Sequence, residues 1–350
     1  MKLLSDLTMD EMKELMTRLG ERSFRAEQIY RNVHSGKELS EMTNVSGALK
    51  DRLTAEGYVS VGVKILEHYA SKIDDTVKFL FSLTDGNVIE GVLMRYKYGN
   101  TLCVSTQVGC RMNCAFCASG LNGLKRNLSA GEILGEVVAA NLFDGGDLKN
   151  RKITNIVLMG SGEPLDNYDN VVKFLRLVNS EEGLNVSYRN ISLSTCGLID
   201  AFDRFLEEDV PVTMTFSLHS AKDEVRSRLM PVNKKYGVDA VIDAAKRYFN
   251  KTKRRVVFEY SLIAGENDTE EDAEILIKKL RGFPCIVNVI VLNYVRERGL
   301  KGTSRKDAYR FIGQLEKGGL AATVRRSMGT DIEGACGQLR AKYLADSGTK

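Results

Sequence analysis

No run of about 18 apolar residues, the length a membrane-crossing helix needs, occurs anywhere in the 350-residue chain. The opening segment Met1–Asp10 mixes charge into its first turn, so neither a secretory leader nor a membrane span is expected and the chain is placed in the cytoplasm. Low-complexity segments and short repeats are also missing. With 43% hydrophobic and 27% charged residues, disordered and fibrous classes are excluded and a globular core is expected. A strong excess of one charge is absent as well: 50 Lys and Arg face 46 Asp and Glu, and a net +4 does not by itself demand a nucleic-acid partner. Histidine is scarce, at His34, His68 and His219. Cysteine is present seven times, an odd number that, without a leader, argues against a disulfide framework and for metal or redox chemistry.

The length suits one large α/β domain with a smaller appendage. Residues 1–60 read as a helical accessory domain suited to RNA binding, with Thr8 and Glu11 in a capping-box pattern ahead of Met9–Leu19, and further helices over Ser23–Val33 and Ser46–Glu56. Residues 61–98 hold a hairpin, Asp75–Leu83 and Asn87–Tyr96, turning at Asp85-Gly86. From 99 to 343 strands and helices alternate. Strands are expected at Leu102–Gln107, Ile153–Met159, Asn190–Thr195, Val212–His219, Val256–Ile263 and Ile286–Asn293, with a last one near Ala322–Arg326. Intervening helices over Ala130–Phe143, Asn170–Val178, Asp239–Phe249, Glu270–Leu280 and Lys306–Lys317 predict a parallel sheet or partial barrel with its site at the strand carboxyl ends. Residues 344–350 are expected to form a disordered tail. Basic clusters at Lys251–Arg255, Arg296–Arg310 and Arg325–Arg326 would let an anionic polymer lie along the second half.

Cys110, Cys114 and Cys117, in the spacing C-x3-C-x2-C, follow the first strand of the repeat. Structural zinc wants four ligands, and no fourth cysteine or histidine is near; three thiolates on an iron–sulfur cubane leave one iron open. Buried or zinc-bound thiols remain the alternative on spacing alone. The string Cys110-Arg-Met-Asn-Cys114-Ala-Phe-Cys117 resembles the radical S-adenosylmethionine motif, in which the cofactor's amino and carboxylate groups bind that open iron.

Gly160-Ser161-Gly162-Glu163-Pro164 follows the second strand, where glycine lets backbone approach a ligand and Glu163 can accept from an ammonium. It resembles the element that holds the methionine amine of S-adenosylmethionine in such enzymes. Ser194, the run Ser217-Leu218-His219 and Asn293 end later strands facing the same expected cavity. Strand capping would explain each of them alone; beside the cysteines they are candidate contacts to ribose and adenine.

Thr106-Gln107-Val108-Gly109-Cys110, Gly123-Leu124-Lys125-Arg126-Asn127-Leu128, Arg226-Ser227-Arg228-Leu229-Met230-Pro231 and Asp331-Ile332-Glu333-Gly334-Ala335-Cys336-Gly337-Gln338-Leu339 extend the likeness across nearly the whole chain. It resembles the dual-specificity RNA adenine C2 methyltransferases. The resemblance implies a partial (β/α)6 barrel with a small N-terminal helical domain and a β-hairpin extension, one [4Fe-4S] cluster, and two molecules of S-adenosylmethionine per turnover. It further implies methylation of one adenine in 23S rRNA and of the adenine beside a tRNA anticodon, by a monomer fed by a flavodoxin- or ferredoxin-type one-electron reductant. A sister group methylates the same rRNA base at C8; Pro164 favours the C2 group. A radical enzyme acting on a non-RNA substrate would keep the cluster but not the Cys103 and Cys336 pair.

C2 of adenine is electron-poor and cannot attack a sulfonium methyl group, so a radical route is required. By the resemblance, Cys336 takes a methyl group as thiolate nucleophile, its methyl carbon becomes a radical that adds to C2, and Cys103 releases the product through a transient disulfide with Cys336. Glu90 interrupts the apolar face of Val88 and Val92; it sits either on a solvated edge or at work, and it matches the family's proton acceptor. Cys196 and Cys285 fit no pattern and are expected in the core.

Overall fold

The computed structural model describes residues 1–339. The expected end of the core at 343 and the tail 344–350 therefore lie outside the described residues.

In chain order the elements are β1 (Lys2–Leu3), α1 (Met9–Arg18), α2 (Phe24–His34), α3 (Gly47–Ala55), β2 (Tyr58–Val59), β3 (Val63–Ala70), β4 (Val77–Leu83), β5 (Val88–Tyr96) and β6 (Gly99–Val104). There follow β7 (Gln107–Gly109), β8 (Leu124–Asn127), α4 (Ala130–Phe143), β9 (Ile153–Leu158), α5 (Tyr168–Asn179), β10 (Ile191–Thr195), α6 (Ile199–Leu206) and β11 (Thr213–Ser217). The chain continues through α7 (Asp223–Leu229), α8 (Val238–Thr252), β12 (Val256–Leu262), α9 (Glu270–Leu280), β13 (Cys285–Val291), α10 (Arg305–Lys317) and β14 (Ala321–Val324). No helix among the described residues is long and apolar enough to cross a membrane.

The Thr8 hydroxyl accepts from the Glu11 amide while Glu11 accepts from the Thr8 amide, the reciprocal pairing that starts α1. Ser129 and Glu132 start α4 in the same way. The sequential strand order puts the repeat's helices on one face of the sheet, against apolar residues such as Phe216 and Phe258, while the strand ends border a cavity on the other face.

One ten-stranded sheet has the order β14-β13-β12-β11-β10-β9-β6-β5-β4-β3. In this sheet every pairing from β6 through β14 is parallel, as repeated βα units require. The hairpin extension is continuous with this sheet: β5 pairs antiparallel with β6, placing Val92 opposite Cys103, and β3 adds a further antiparallel strand beyond β4. Strand β3 and helices α6 and α7 were not expected from the sequence. The N-terminal helices share one hydrophobic cluster with the sheet, from Met12 and Tyr30 through Phe79 to Phe216. Two polar clasps fasten this region further: Asp6 accepts from the Gly131 amide at 2.6 Å, and Lys173 meets Glu11 at 2.8 Å.

His34, on α2, is buried, stacked on Tyr30, and finds no hydrogen-bond partner for either ring nitrogen. Burial pushes its pKa down to about 3 from the usual 6.5. The unfolded chain thus binds this proton first, so the stability due to the neutral ring is whole above pH 6.5 and is lost as pH falls toward 3. Replacing His34→Phe is expected to flatten the fall in urea midpoint between pH 6.5 and 4. Parallel curves for variant and parent would refute this assignment.

Candidate active site

The cluster-motif loop leaves the sheet at Gly109, whose left-handed φ of 80° and close approach to the Gly123 carbonyl leave no room for a Cβ. The small antiparallel sheet β7–β8 brackets the loop, and the Cys110 amide donates to the Gly123 carbonyl at 3.0 Å. Cys110, Cys114 and Cys117 all line one cavity at the carboxyl end of the parallel strands, enclosing about 920 Å³ including its mouth. Burial pushes the thiol of Cys110 up to about 12 and that of Cys114 higher still. Such thiols ionise only when a strong cation is bound.

Among the described residues no three of His, Cys, Asp and Glu converge closely enough to hold one metal ion. Three thiols arrayed around a shared cavity, rather than on one point, suit a polynuclear iron–sulfur group better than single zinc.

Gly162, Glu163, Ser194, Ser217, His219 and Asn293 line the same cavity. Gly162 has φ 113°, and a Cβ there would lie 2.7 Å from the Thr106 hydroxyl, so this backbone accepts only glycine. Glu163 is buried; its two carboxylate oxygens accept from the Cys196 amide at 2.8 Å and the Leu165 amide at 3.0 Å. Desolvation raises its pKa above the ordinary carboxylate value, and those amides oppose the shift. An arriving ammonium would reverse the desolvation cost. Ser194 and Ser217 place their hydroxyls 3.4 Å apart on neighbouring strands. His219 packs edge-on against Phe116 and accepts from the Ser261 amide through Nδ1 at 2.9 Å; burial takes its pKa down to about 3, so the ring is neutral. Leu218, by contrast, turns its side chain into the core and is absent from the lining; its backbone pairs with the Glu259 carbonyl.

Cys336 lies on the segment after β14 and lines this cavity too, with its carbonyl held by the Asn293 amide group at 3.1 Å. It also lines a second, smaller cavity with Cys103, Val92, Met94, Met159 and Arg325. The two thiols are 233 positions apart in sequence and meet only through the fold. Burial pushes Cys103 up to about 12 and Cys336 up to about 11. Glu90 is elsewhere: it is buried on the interior strand β5, not on a solvated edge, paired with Lys78 at 3.2 Å. It faces a neighbouring cleft lined also by Lys125, Tyr294 and Arg296, which meets the thiol-lined cavity at Ser119. Cys196 lines the main cavity and Cys285 is in the core.

The sequence that builds this cavity is similar to known proteins over its whole length. The Radical SAM superfamily profile matches residues 104–277, and that of the ribosomal RNA large subunit methyltransferase N-terminal domain matches residues 3–59. A probable dual-specificity RNA methyltransferase RlmN from Clostridium perfringens strain 13 is 48% identical, over all of both chains. The chain belongs to this radical SAM methyltransferase family. Another member, from Thermoanaerobacter sp. strain X514, is 47% identical over 98% of this chain and 99% of its own. The crystal structure of a radical SAM methyltransferase from Sphaerobacter thermophilus superposes with a TM-score of 0.93 at 40% identity, covering 98% of this chain and 100% of that one. Membership of the superfamily implies a [4Fe-4S] cluster and S-adenosylmethionine.

Arg226 was legible only as part of a family string, and its work is structural. Fully buried, it donates to the carbonyls of Cys196 (2.7 Å), Ser217 (3.0 Å) and Leu218 (3.0 Å) and to Asn233, tying the ends of β10 and β11 to α7. Replacing Arg226→Met strands these carbonyls and is expected to cost roughly 3 kcal/mol or more in denaturant unfolding. An unchanged midpoint would show that the clamp carries no stability.

Proposed function

We propose that this protein methylates C2 of adenine in 23S rRNA and of the adenine beside a tRNA anticodon. The observation that carries the reading is that Cys336 lines both cavities, facing the three-cysteine wall on one side and Cys103 on the other. A peptide- or metabolite-directed radical enzyme needs no such second pair of thiols. The names of the relatives, dual-specificity RNA methyltransferases, support RNA as the substrate.

Cys110, Cys114 and Cys117 would be the three protein ligands of the cluster, with Gly162, Glu163, Ser194, Ser217, His219 and Asn293 around S-adenosylmethionine. When bound and reduced by one electron, that pair would supply a primary carbon radical able to abstract a hydrogen atom. The chain's own residues do the rest. Cys336 accepts a methyl group on sulfur; once that methyl has lost a hydrogen atom its carbon bonds to C2 of the base, and the C2 proton and one electron leave. Cys103 as thiolate then attacks the Cys336 sulfur, so that the sulfur–carbon bond breaks with its pair going to the carbon, which takes up a proton to become the methyl group, and a disulfide is left for reduction. Glu90 accepts the C2 proton from the adjoining cleft, whose Lys125, Arg296 and Tyr294 suit a phosphate backbone and an unstacked base. Residues 1–60 would form the accessory RNA-docking unit ahead of the 61–98 strands and the core. The enzyme works as a cytoplasmic monomer with a flavodoxin- or ferredoxin-type electron donor.

Nucleosides from 23S rRNA and tRNA of cells with and without the gene, separated by mass spectrometry against 2-methyladenosine and 8-methyladenosine, test this reading. Loss of 2-methyladenosine from both RNAs is expected in the deletion strain. Loss of 8-methyladenosine alone would move the protein to the C8 group, and no change in either would refute RNA methylation. In the purified enzyme, Cys336→Ala is expected to abolish RNA methylation with the cluster intact, and Cys103→Ala to trap a protein–RNA adduct; free methylated RNA from either variant would overturn the scheme.

A further inference from the structure

The stretch from Asn293 to Arg298, which follows β13, touches three parts of the site at once. Asn293 holds the Cys336 carbonyl, and the Tyr294 carbonyl accepts from the Gln338 side-chain amide at 3.0 Å. Tyr294, Val295, Arg296 and Glu297 line the cleft that Glu90 faces. Arg298 closes a turn in which its amide donates to the Val295 carbonyl at 3.0 Å, and its side chain crosses to the cysteine loop. There Nε donates to the Cys117 carbonyl at 3.0 Å, and a terminal nitrogen donates to the Asn113 side-chain oxygen at 2.9 Å.

The loop is shaped around this contact. Asn113 takes a left-handed φ of 49°, uncommon for any residue but glycine. A Cβ at Gly120 would lie 3.0 Å from the Asn113 Cα and 3.1 Å from the Arg298 guanidinium, so a larger residue there would press on both. The loop's own cation, Arg111, is matched by Asp166 at 2.8 Å, whereas Cys117 and Asn113 offer Arg298 neutral acceptors.

We infer that Arg298 is a positioning residue for the iron–sulfur cluster: it holds the Cys117 end of the loop and sets a positive charge beside the thiol wall, which makes the cluster easier to reduce. The inference rests on the reading of Cys110, Cys114 and Cys117 as cluster ligands. A dipositive cubane with three thiolates is a monoanion, and one electron makes it a dianion. That electron comes from the flavodoxin- or ferredoxin-type donor, which is oxidised by one, and no bond of the protein forms or breaks. The dianion gains more from a neighbouring cation than the monoanion does, so Arg298 raises the reduction potential and its loss lowers it. A loop that merely loosened would give the opposite sign, because entering water favours the more highly charged state.

The test is a redox titration of the cluster in the full-length anaerobic protein, followed by the electron paramagnetic resonance signal of the reduced form. Arg298 is half-buried, so solvent screens part of its field. At a fixed potential Arg298→Met is expected to lower the ratio of reduced to oxidised cluster roughly tenfold, a shift of about 59 mV for one electron. Arg298→Gln, neutral but still a donor, is expected to fall in the same direction, while Arg298→Lys, which keeps the charge, stays near the parent. Should Arg298→Met fail to load iron, the Gln and Lys variants carry the same comparison. An unchanged or raised potential in Arg298→Met, or in Arg298→Gln in its place, would overturn the inference, as would a fall in Arg298→Lys equal to that of the neutral variant. Iron content is read in the same samples. A parent protein without a cluster would refute the reading of the three cysteines and the inference with it, a result distinct from a loaded cluster whose potential ignores Arg298.

Discussion

The site depends on how the segment after β14 is held across the sheet. The ten strands run from β14 to β3 without closing, and both end strands present an edge. Residues 325–339 cross the gap: Asp331 accepts from the Ser71 hydroxyl and the Lys72 amide just beyond β3, and the Gly329 amide donates to Asp74. Farther along, the Gly337 carbonyl accepts from the Ala118 amide and the Leu339 carbonyl from the Ser119 hydroxyl, both on the loop that carries Cys117. Cys336 lies between these two sets of ties, so its position is set jointly by the far edge of the sheet and by the cluster loop. A thiol fixed in this way can face two cavities at once.

The ties are backbone and short side-chain hydrogen bonds, each worth about 1 kcal/mol net. That is enough, in number, to define one resting position and too little to forbid movement of a single short stretch. The glycines flanking Cys336, Gly334 and Gly337, the latter with φ 83°, add backbone freedom there.

Much of this architecture is legible in the sequence where one local rule acts alone. Thr8 with Glu11, Asp85-Gly86 and the helices Ala130–Phe143 and Glu270–Leu280 follow from capping, turn chemistry and periodicity. Strand β3 escapes because it is an edge: Lys64, Glu67 and His68 leave it half exposed and blur the alternation. Helices α6 and α7 are eight and seven residues long, too short for a clear period. Cys110, Cys114 and Cys117 are legible as a group because one loop supplies all three. The pairing of Cys103 with Cys336 is not, since no spacing encodes contacts across the sheet, and only the family strings connect them. Arg325 and Glu259 went unread although a signal existed: Glu259 interrupts the apolar run Val256–Leu262 just as Glu90 interrupts its own strand. A carboxylate inside a buried strand needs a partner, and Arg325 is that partner.

His219 sits at the heart of the cavity with its Nδ1 committed to a backbone amide and its pKa near 3. It can donate from its other nitrogen, but it cannot gain a proton at physiological pH. Acid–base work in this cavity is therefore left to groups other than the imidazole. This separates the cavity from the many that run acid–base catalysis through imidazole, since the ring stays neutral through a moderate drift in cellular acidity.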